Sequence, residues 1–169
     1  MLKKFVLILM CVLPLAGFAQ TLKFGNVNSA EIFEAMPEKA TIQKELDALN
    51  AQYEKDLTKL HDEYQRKVSD FVAQQDSLPE TIRTRRAQEI NDIEQRIQNF
   101  RQVAYQDIQQ AQNTKLQPVF EKISKAIKEV GEENGFTYIF DLSNSGIVYY
   151  SPTNTVDVAP MVKAKLGIK

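Results

Sequence analysis

Apolar residues recur with an eleven-residue period along the first half of the chain. Between residues 41 and 76 they are spaced four, three and four apart, at Ile42, Leu46, Leu49, Tyr53, Leu57, Leu60, Tyr64, Val68 and Phe71. Eleven residues in three helical turns place these side chains on one narrow, nearly straight stripe. Such a stripe can cover one or two neighbouring helices but cannot enclose a globular core. We therefore expect a long helix over about residues 38–76 that projects into solvent.

A second stripe with the same spacing follows a single break. The segment 77–80, Ser-Leu-Pro-Glu, combines a capping serine, a proline tolerated in a first helical turn and an acid that complements the helix dipole. Beyond it the apolar positions are Ile93, Ile97, Phe100, Ala104, Ile108 and Ala111. Because the two stripes match, the sequence predicts an antiparallel helical hairpin over residues 39–117. Pro118 is expected to interrupt and kink the second helix.

The two ends of the chain, residues 20–38 and 118–169, are typical of a small α+β body into which this hairpin is inserted. Residues 22–27 are predicted to form a strand, and residues 136–142 and 147–150 the two strands of a hairpin. A short helix should begin after Asn28, and a last helix should run from a cap at Asp157 to about Leu166. The expected core of the body comprises Phe24, Val27, Ile32, Phe33, Val119, Ile123, Ile127, Ile139 and Tyr149.

This body is small for an independent domain. Roughly 70 residues give a limited core, and three strands leave open sheet edges. Self-association that shares the core residues and pairs the edges would resolve both difficulties, and cyclic symmetry is the usual way. The fold class predicted is therefore mostly α, with a long antiparallel helical hairpin inserted in a small oligomerising body.

The chain begins with the layout of a secretory signal peptide. Lys3 and Lys4 precede an apolar run over residues 5–15, and small residues lead to a predicted cleavage between Ala19 and Gln20. The run is too short to span a bilayer comfortably. Cleavage would also remove Cys11, the only cysteine, so the mature chain is expected to lack disulfides, thiol nucleophiles and thiolate metal sites.

Charge gives no reason to expect a nucleic-acid partner. Removing the two positive charges of Lys3 and Lys4 from the formal net charge of −1 leaves −3 for the mature chain. A short basic run, Arg83, Arg85 and Arg86, lies beside the predicted end of the hairpin. A solvated helix face is the favoured interpretation of this run, ahead of a binding patch.

No catalytic, cofactor or metal site is predicted. His61 is the only histidine, and no second imidazole or thiol completes a metal site with it. The segment that starts at Asp141 faintly resembles a calcium loop, but Pro152 stands where a bidentate glutamate is needed. Tyr53 and Tyr64 are aromatic residues that could contact a bound protein, although their place in the repeat favours packing between helices. We therefore expect no enzyme.

The chain as a whole resembles the Skp/OmpH family of periplasmic chaperones. The resemblance rests on Phe24-Gly25-Asn26-Val27-Asn28 before Ile32-Phe33, on the charged hairpin, and on residues 118–123, 126–127 and 135–141 in that order. It implies a homotrimer in which three small β-rich parts form a body and three helical tentacles enclose a cavity for unfolded outer-membrane proteins. One departure is the sequence pI of about 5.9, since well-studied members are strongly basic.

The function expected is that of an ATP-independent periplasmic holdase. It would bind exposed apolar segments of unfolded outer-membrane proteins weakly and at many points. Peripheral contact with a membrane or with lipopolysaccharide stays open at this stage. Two alternatives also stay open, a structural coiled-coil adaptor or spacer of the cell envelope and a hydrolase hidden in the body.

Overall fold

The computed structural model describes residues 22–143 and 146–168. The predicted signal peptide and its cleavage site, Ala19 and Gln20, lie outside the described residues. Among the residues described, no helix is both long and apolar enough to cross a membrane.

Four helices, one 3-10 turn and three short strands make up the described chain. The strands are β1 (Phe24–Val27), β2 (Tyr138–Asp141) and β3 (Val156–Asp157). The helices are α1 (Ser29–Glu34), α2 (Pro37–Gln74), α3 (Glu80–Glu133) and α4 (Ala159–Leu166), and the 3-10 turn is Gln75–Ser77. The prediction of a mostly helical chain with a small sheet and a long helical hairpin is confirmed.

Local sequence explains where the long helices begin. Pro37 opens α2, where its missing N–H would have no intrahelical partner in any case. Leu78 is extended, as expected for a residue before proline, and Pro79 accepts hydrogen bonds at its carbonyl from Ile82 and Arg83 as α3 starts. The segment 75–79 is called the tip below.

The helix α3 does not stop at Pro118. It continues to Glu133, so the prediction that Pro118 interrupts the second helix is wrong. Its end is marked by Gly135, with a φ of 66°, beyond which Phe136 donates its N–H to the carbonyl of Gly131 at 3.0 Å. This arrangement caps the last carbonyls of the helix in the way that glycine after a helix commonly does.

The sheet has the order β2-β1-β3, and both outer strands run parallel to β1. The predicted antiparallel hairpin of residues 136–142 and 147–150 is therefore wrong. Parallel strands need a crossover between them, and the helices provide it between β1 and β2. Residues 146–150 form no strand. The last strand is Val156–Asp157, and the Asp157 carboxylate accepts the Ala159 N–H at 2.9 Å where α4 begins.

The chain divides into two compact units. The described residues up to Ala30 form one unit together with Lys125–Gly167, and Glu31–Ser124 accounts for nearly all of the other. The first unit contains the sheet, α4 and the end of α3. The second contains α2 and most of α3. The boundaries anticipated at residues 38/39 and 117/118 stay predictions.

Candidate functional site

Matching apolar stripes on α2 and α3 meet along the hairpin, and we call this contact the seam. Ile93 and Ile97 are the most buried of its members, at 3% and 4% exposure, followed by Ala104 at 8% and Ile42 at 9%. None of the other predicted seam positions is fully exposed. These are Leu46, Leu49, Tyr53, Leu57, Leu60, Tyr64, Val68, Phe71, Phe100 and Ile108. Partial exposure is what a contact between only two helices allows.

Tyr53 packs between the two helices. Its ring meets Phe100 edge to face, with centroids 5.8 Å apart, and its hydroxyl donates to Asp107 Oδ2 at 2.6 Å. The hydrogen bond to the Asp107 carboxylate, more than the accompanying desolvation, raises the pKa of Tyr53. Both the ring and the hydroxyl of Tyr53 are therefore in contact with the neighbouring helix α3.

Polar pairs flank the seam from one end to the other. Each step forward along α2 is matched by a step back along α3, as antiparallel packing requires. The ion pairs between the helices are Glu38 with Lys122 at 2.6 Å, Glu45 with Lys115 at 2.6 Å, Glu63 with Arg96 at 3.4 Å and Lys67 with Glu89 at 2.9 Å. All are at least one-third exposed on both sides, so they specify register more than they add stability.

His61 lies beside the seam and faces Arg101. Their nitrogens Nε2 and Nη2 are 2.9 Å apart. A guanidinium can only donate, so Nε2 is the acceptor in this contact. Among residues 22–143 and 146–168, no group of three or more His, Cys, Asp and Glu side chains is placed to hold a metal ion.

The basic run near the tip is largely matched by acids and an amide. Arg83 pairs with Glu80, Arg85 lies 3.6 Å from Glu89, and Arg86 donates to Gln74 Oε1 at 2.9 Å. A polar cavity of about 330 Å³ lies here between the helices, and the Lys67 ammonium on its wall lowers the pKa of Glu89. These pairings reduce the positive field that a free arginine cluster would present.

In the first unit, one side of the sheet forms a tightly packed core. Val27, Val130, Val158 and Val162 are each at most 2% exposed. A Cβ on Gly25 would lie 3.1 Å from side-chain atoms of both Ile139 and Val158, a tighter contact than most Cβ atoms make.

The opposite side of the sheet carries stacked aromatic rings, which we call the aromatic face. The rings of Phe24, Tyr138 and Phe140 lie with centroids 6.0 to 6.3 Å apart. Tyr138 is 60% exposed and Phe140 39% exposed. The sequence prediction included Phe24 but missed the other two, although their alternation around half-buried Ile139 is the signal of a two-faced strand.

Residues 147–150, Ile-Val-Tyr-Tyr, add further exposed apolar surface to the same unit. Val148 is fully exposed, at 101%, and Tyr149 is 82% exposed. Tyr149 therefore lies outside the protomer's own core. Its predicted role at an interface between protomers stays a prediction.

The other predicted core residues are divided between the two units. Ile32, Val119 and Ile123 are at most 5% exposed in the second unit, where Phe33 also stacks on Phe120 with centroids 5.0 Å apart. In the first unit, Ile127 and Ile139 are half-buried.

A carboxylate that the sequence did not single out as functional ties β2 to α1. Asp141 accepts hydrogen bonds from the backbone N–H groups of Ser29 at 3.1 Å and Ser143 at 3.0 Å, and from both serine hydroxyls. Burial alone would raise the pKa of Asp141, but these hydrogen bonds outweigh it and lower the pKa. Asp141 thus supplies the start of α1 with a cap from a distant strand.

Comparisons with known proteins agree on one family. The sequence profile of the OmpH-like outer membrane proteins matches residues 23–166. A candidate outer membrane chaperone (OmpH-like) from Caulobacter crescentus CB15 has a similar structure, with a TM-score of 0.71 and 13% identity over 91% of this chain and 90% of that one. No curated protein sequence matches significantly. This chain therefore belongs to the OmpH-like family of outer membrane proteins.

Proposed function

We propose that this protein is an ATP-independent holdase chaperone of the periplasm. It binds unfolded outer-membrane proteins in a cavity between the helical hairpins of a homotrimer and prevents their aggregation. Membership of the OmpH-like family supports a chaperone role, and the predicted signal peptide supports a periplasmic location.

The observation that best supports the homotrimer in this proposal is the exposure of aromatic rings in the first unit. Tyr138 at 60%, Phe140 at 39% and Tyr149 at 82% exposure are unusual in so small a unit, and β2 and β3 each leave one edge of the sheet open. Exposed apolar patches beside open edges favour association. Three copies around a cyclic axis would cover both the rings and the edges.

The hairpin suits a protein that holds unfolded chains without processing them. Its seam occupies the contact between α2 and α3, which leaves long outer surfaces available on both helices. Three such surfaces in one trimer would offer many weak contacts to one client, so that avidity replaces tight binding at any single point. Aggregation would then be slowed by mass action on the unfolded state.

The proposal is tested by diluting several unrelated outer-membrane β-barrel proteins from urea into buffer with and without the purified protein. We expect light scattering from every client to be suppressed near one trimer per client. A structural adaptor or spacer with one dedicated partner would leave most of these clients aggregating, and that outcome would reject the holdase in favour of the alternative.

A further inference from the structure

The outer surface of α3 carries a stripe of side-chain amides on the side away from α2. Its positions are spaced three or four residues apart and all are exposed. At about 98° per residue for an eleven-residue repeat, the stripe is centred about 160° around the helix from the seam. We call these residues the amide stripe: Asn91, Gln95, Gln98, Gln102, Gln106, Gln109, Asn113 and Gln117.

The register of the amide stripe along α3 carries no ionisable side chain for some distance beyond the amides at either end. From Thr84 to Ser124, all twelve successive positions in this register are uncharged, although 25% of the chain is charged. The corresponding outer face of α2 has no such property. It carries Lys44, Asp47, Lys55, Asp62 and Arg66, all exposed.

Helix formation does not explain this choice of residues. Glutamine, glutamate and lysine favour helices almost equally, so a solvated face could equally have been charged. Within the described part of the chain, Gln117 donates to Glu121 at 2.9 Å, and none of the other seven amides makes a hydrogen bond. The stripe therefore presents a row of available donors and acceptors without net charge.

We propose that the amide stripe holds the main chain of an unfolded client in an extended conformation. A side-chain carboxamide offers the same N–H donors and carbonyl acceptor as a peptide group, and neither is charged. At 1.5 Å per residue the stripe is about 39 Å long, which matches about twelve residues of extended chain. This inference rests on the proposed function, because it takes unfolded protein as the partner.

Exposed apolar side chains border the stripe and suit the same occupant. Tyr105 is 67% exposed on one flank, and Phe120, 47% exposed, follows the last amide beside Leu116 in a shallow groove. A client held by its main chain would present alternate side chains towards these residues. Because peptide groups are the same in every protein and the amides are uncharged, the contribution of the amide stripe would depend little on client sequence or client charge.

The test replaces three central amides without changing charge or helix propensity unfavourably. Gln98→Ala, Gln102→Ala and Gln109→Ala are combined in one variant of the full chain. The matched control combines Gln43→Ala, Gln52→Ala and Gln65→Ala, which makes the same chemical change at exposed positions of α2. Circular dichroism and light scattering should show that both variants keep the helicity and mass of the wild type.

Binding is measured by fluorescence titration of a labelled, urea-unfolded outer-membrane β-barrel protein. We expect the stripe variant to bind about tenfold more weakly than wild type, from the loss of three hydrogen-bonding groups, and the control to bind within about twofold. Equal weakening in both variants, or none in the stripe variant, would overturn the inference. Absence of binding by wild type would instead overturn the proposed function.

A second measurement asks whether main-chain groups are what the stripe contacts. A twelve-residue neutral peptide is compared with the same peptide N-methylated at alternate residues, which removes N–H donors and keeps the side chains. Wild type should prefer the unmodified peptide, and the stripe variant should lose that preference. If both proteins discriminate equally, the stripe does not bind main chain. If the stripe variant changes oligomeric mass, the stripe is a contact between copies and the inference is wrong.

Discussion

The Tyr53 hydroxyl donates a hydrogen bond to Asp107 Oδ2 at 2.6 Å, and this contact joins α2 to α3. The Tyr53 ring also lies against Phe100, which is on α3 like Asp107. One residue of the eleven-residue repeat thus supplies both the apolar packing and the polar contact that fix the register of the hairpin.

This pairing predicts that the folded hairpin loses stability at alkaline pH. The Asp107 carboxylate holds the pKa of Tyr53 above its ordinary value of about 10. The folded hairpin therefore holds the Tyr53 proton more strongly than the unfolded chain does. The stabilisation from this hydrogen bond is full below pH about 10 and is lost as pH rises through the pKa of Tyr53 in the folded protein. Thermal unfolding over this range should show a steeper alkaline loss for wild type than for Tyr53→Phe.

Two further variants separate this hydrogen bond from a general effect of losing a phenol. Asp107→Asn should bring the pKa of Tyr53 down towards its ordinary value, as followed by ultraviolet difference absorbance. Tyr105→Phe removes a 67% exposed tyrosine from the same helix and should keep the wild-type slope. If Tyr53→Phe also kept that slope, the interhelix hydrogen bond would be absent in solution.

The seam predicts a strong contrast between two positions on α3. Ile97 is 4% exposed against α2, whereas Val103 is 50% exposed. Ile97→Ala should destabilise the protein by about 2 to 5 kcal/mol, because it leaves a cavity in the apolar layer between the helices. Val103→Ala should cost less than about 0.5 kcal/mol. Urea unfolding followed by circular dichroism measures both, and similar costs would show that the helices do not pack along this stripe.

Gly25 predicts a steric effect in the sheet. An added Cβ would lie 3.1 Å from Ile139 Cγ1 and 3.1 Å from Val158 Cγ1, so Gly25→Ala should destabilise the first unit by about 1 to 3 kcal/mol. Gly146→Ala is the control, since no heavy atom lies within 4 Å of a Cβ there. Hydrogen exchange of the β1 and β2 amides reports this unit directly, and unchanged protection in Gly25→Ala would contradict the packing described.

The hydrogen bonds of Asp141 predict that the protein loses stability at acidic pH. Four hydrogen bonds from Ser29 and Ser143 lower its pKa against the effect of burial. Its stabilising contribution is therefore present above about pH 4 and is lost as pH falls through the lowered folded pKa. Asp141→Asn should cost about 1 to 2 kcal/mol near neutral pH and little at lower pH.

The matched control for that experiment is Asp76→Asn at the exposed tip, which should change stability little at any pH. Urea unfolding at a series of pH values measures all three proteins. A cost of Asp141→Asn that does not shrink on acidification would mean that the carboxylate charge is not what stabilises the start of α1.

Periodicity was sufficient to predict the hairpin, because a stripe that recurs over many turns leaves one packing solution. The break between α2 and α3 was equally predictable, since Pro79 forces the residue before it, Leu78, to be extended. Pro118 misled the prediction of an interruption, because a single lost hydrogen bond in a helix of 54 residues need not break it.

The sheet was harder to predict for a physical reason. Residues 147–150 have the composition of a strand but form none, and the strand that pairs with β1 opposite β2 lies later in the chain. The strand that does form, Val156–Asp157, has two residues and so no periodicity to detect. The exposed state of Tyr138 and Phe140 could not be read from composition either, since it depends on which face of β2 meets α3.

The most direct test of the proposed trimeric holdase is the light-scattering mass of the soluble species formed when the purified protein is mixed with one unfolded outer-membrane β-barrel protein. We expect a single soluble complex with the mass of three chains and one client. A monomer that remains in solution while the client aggregates would contradict both the assembly and the function proposed here.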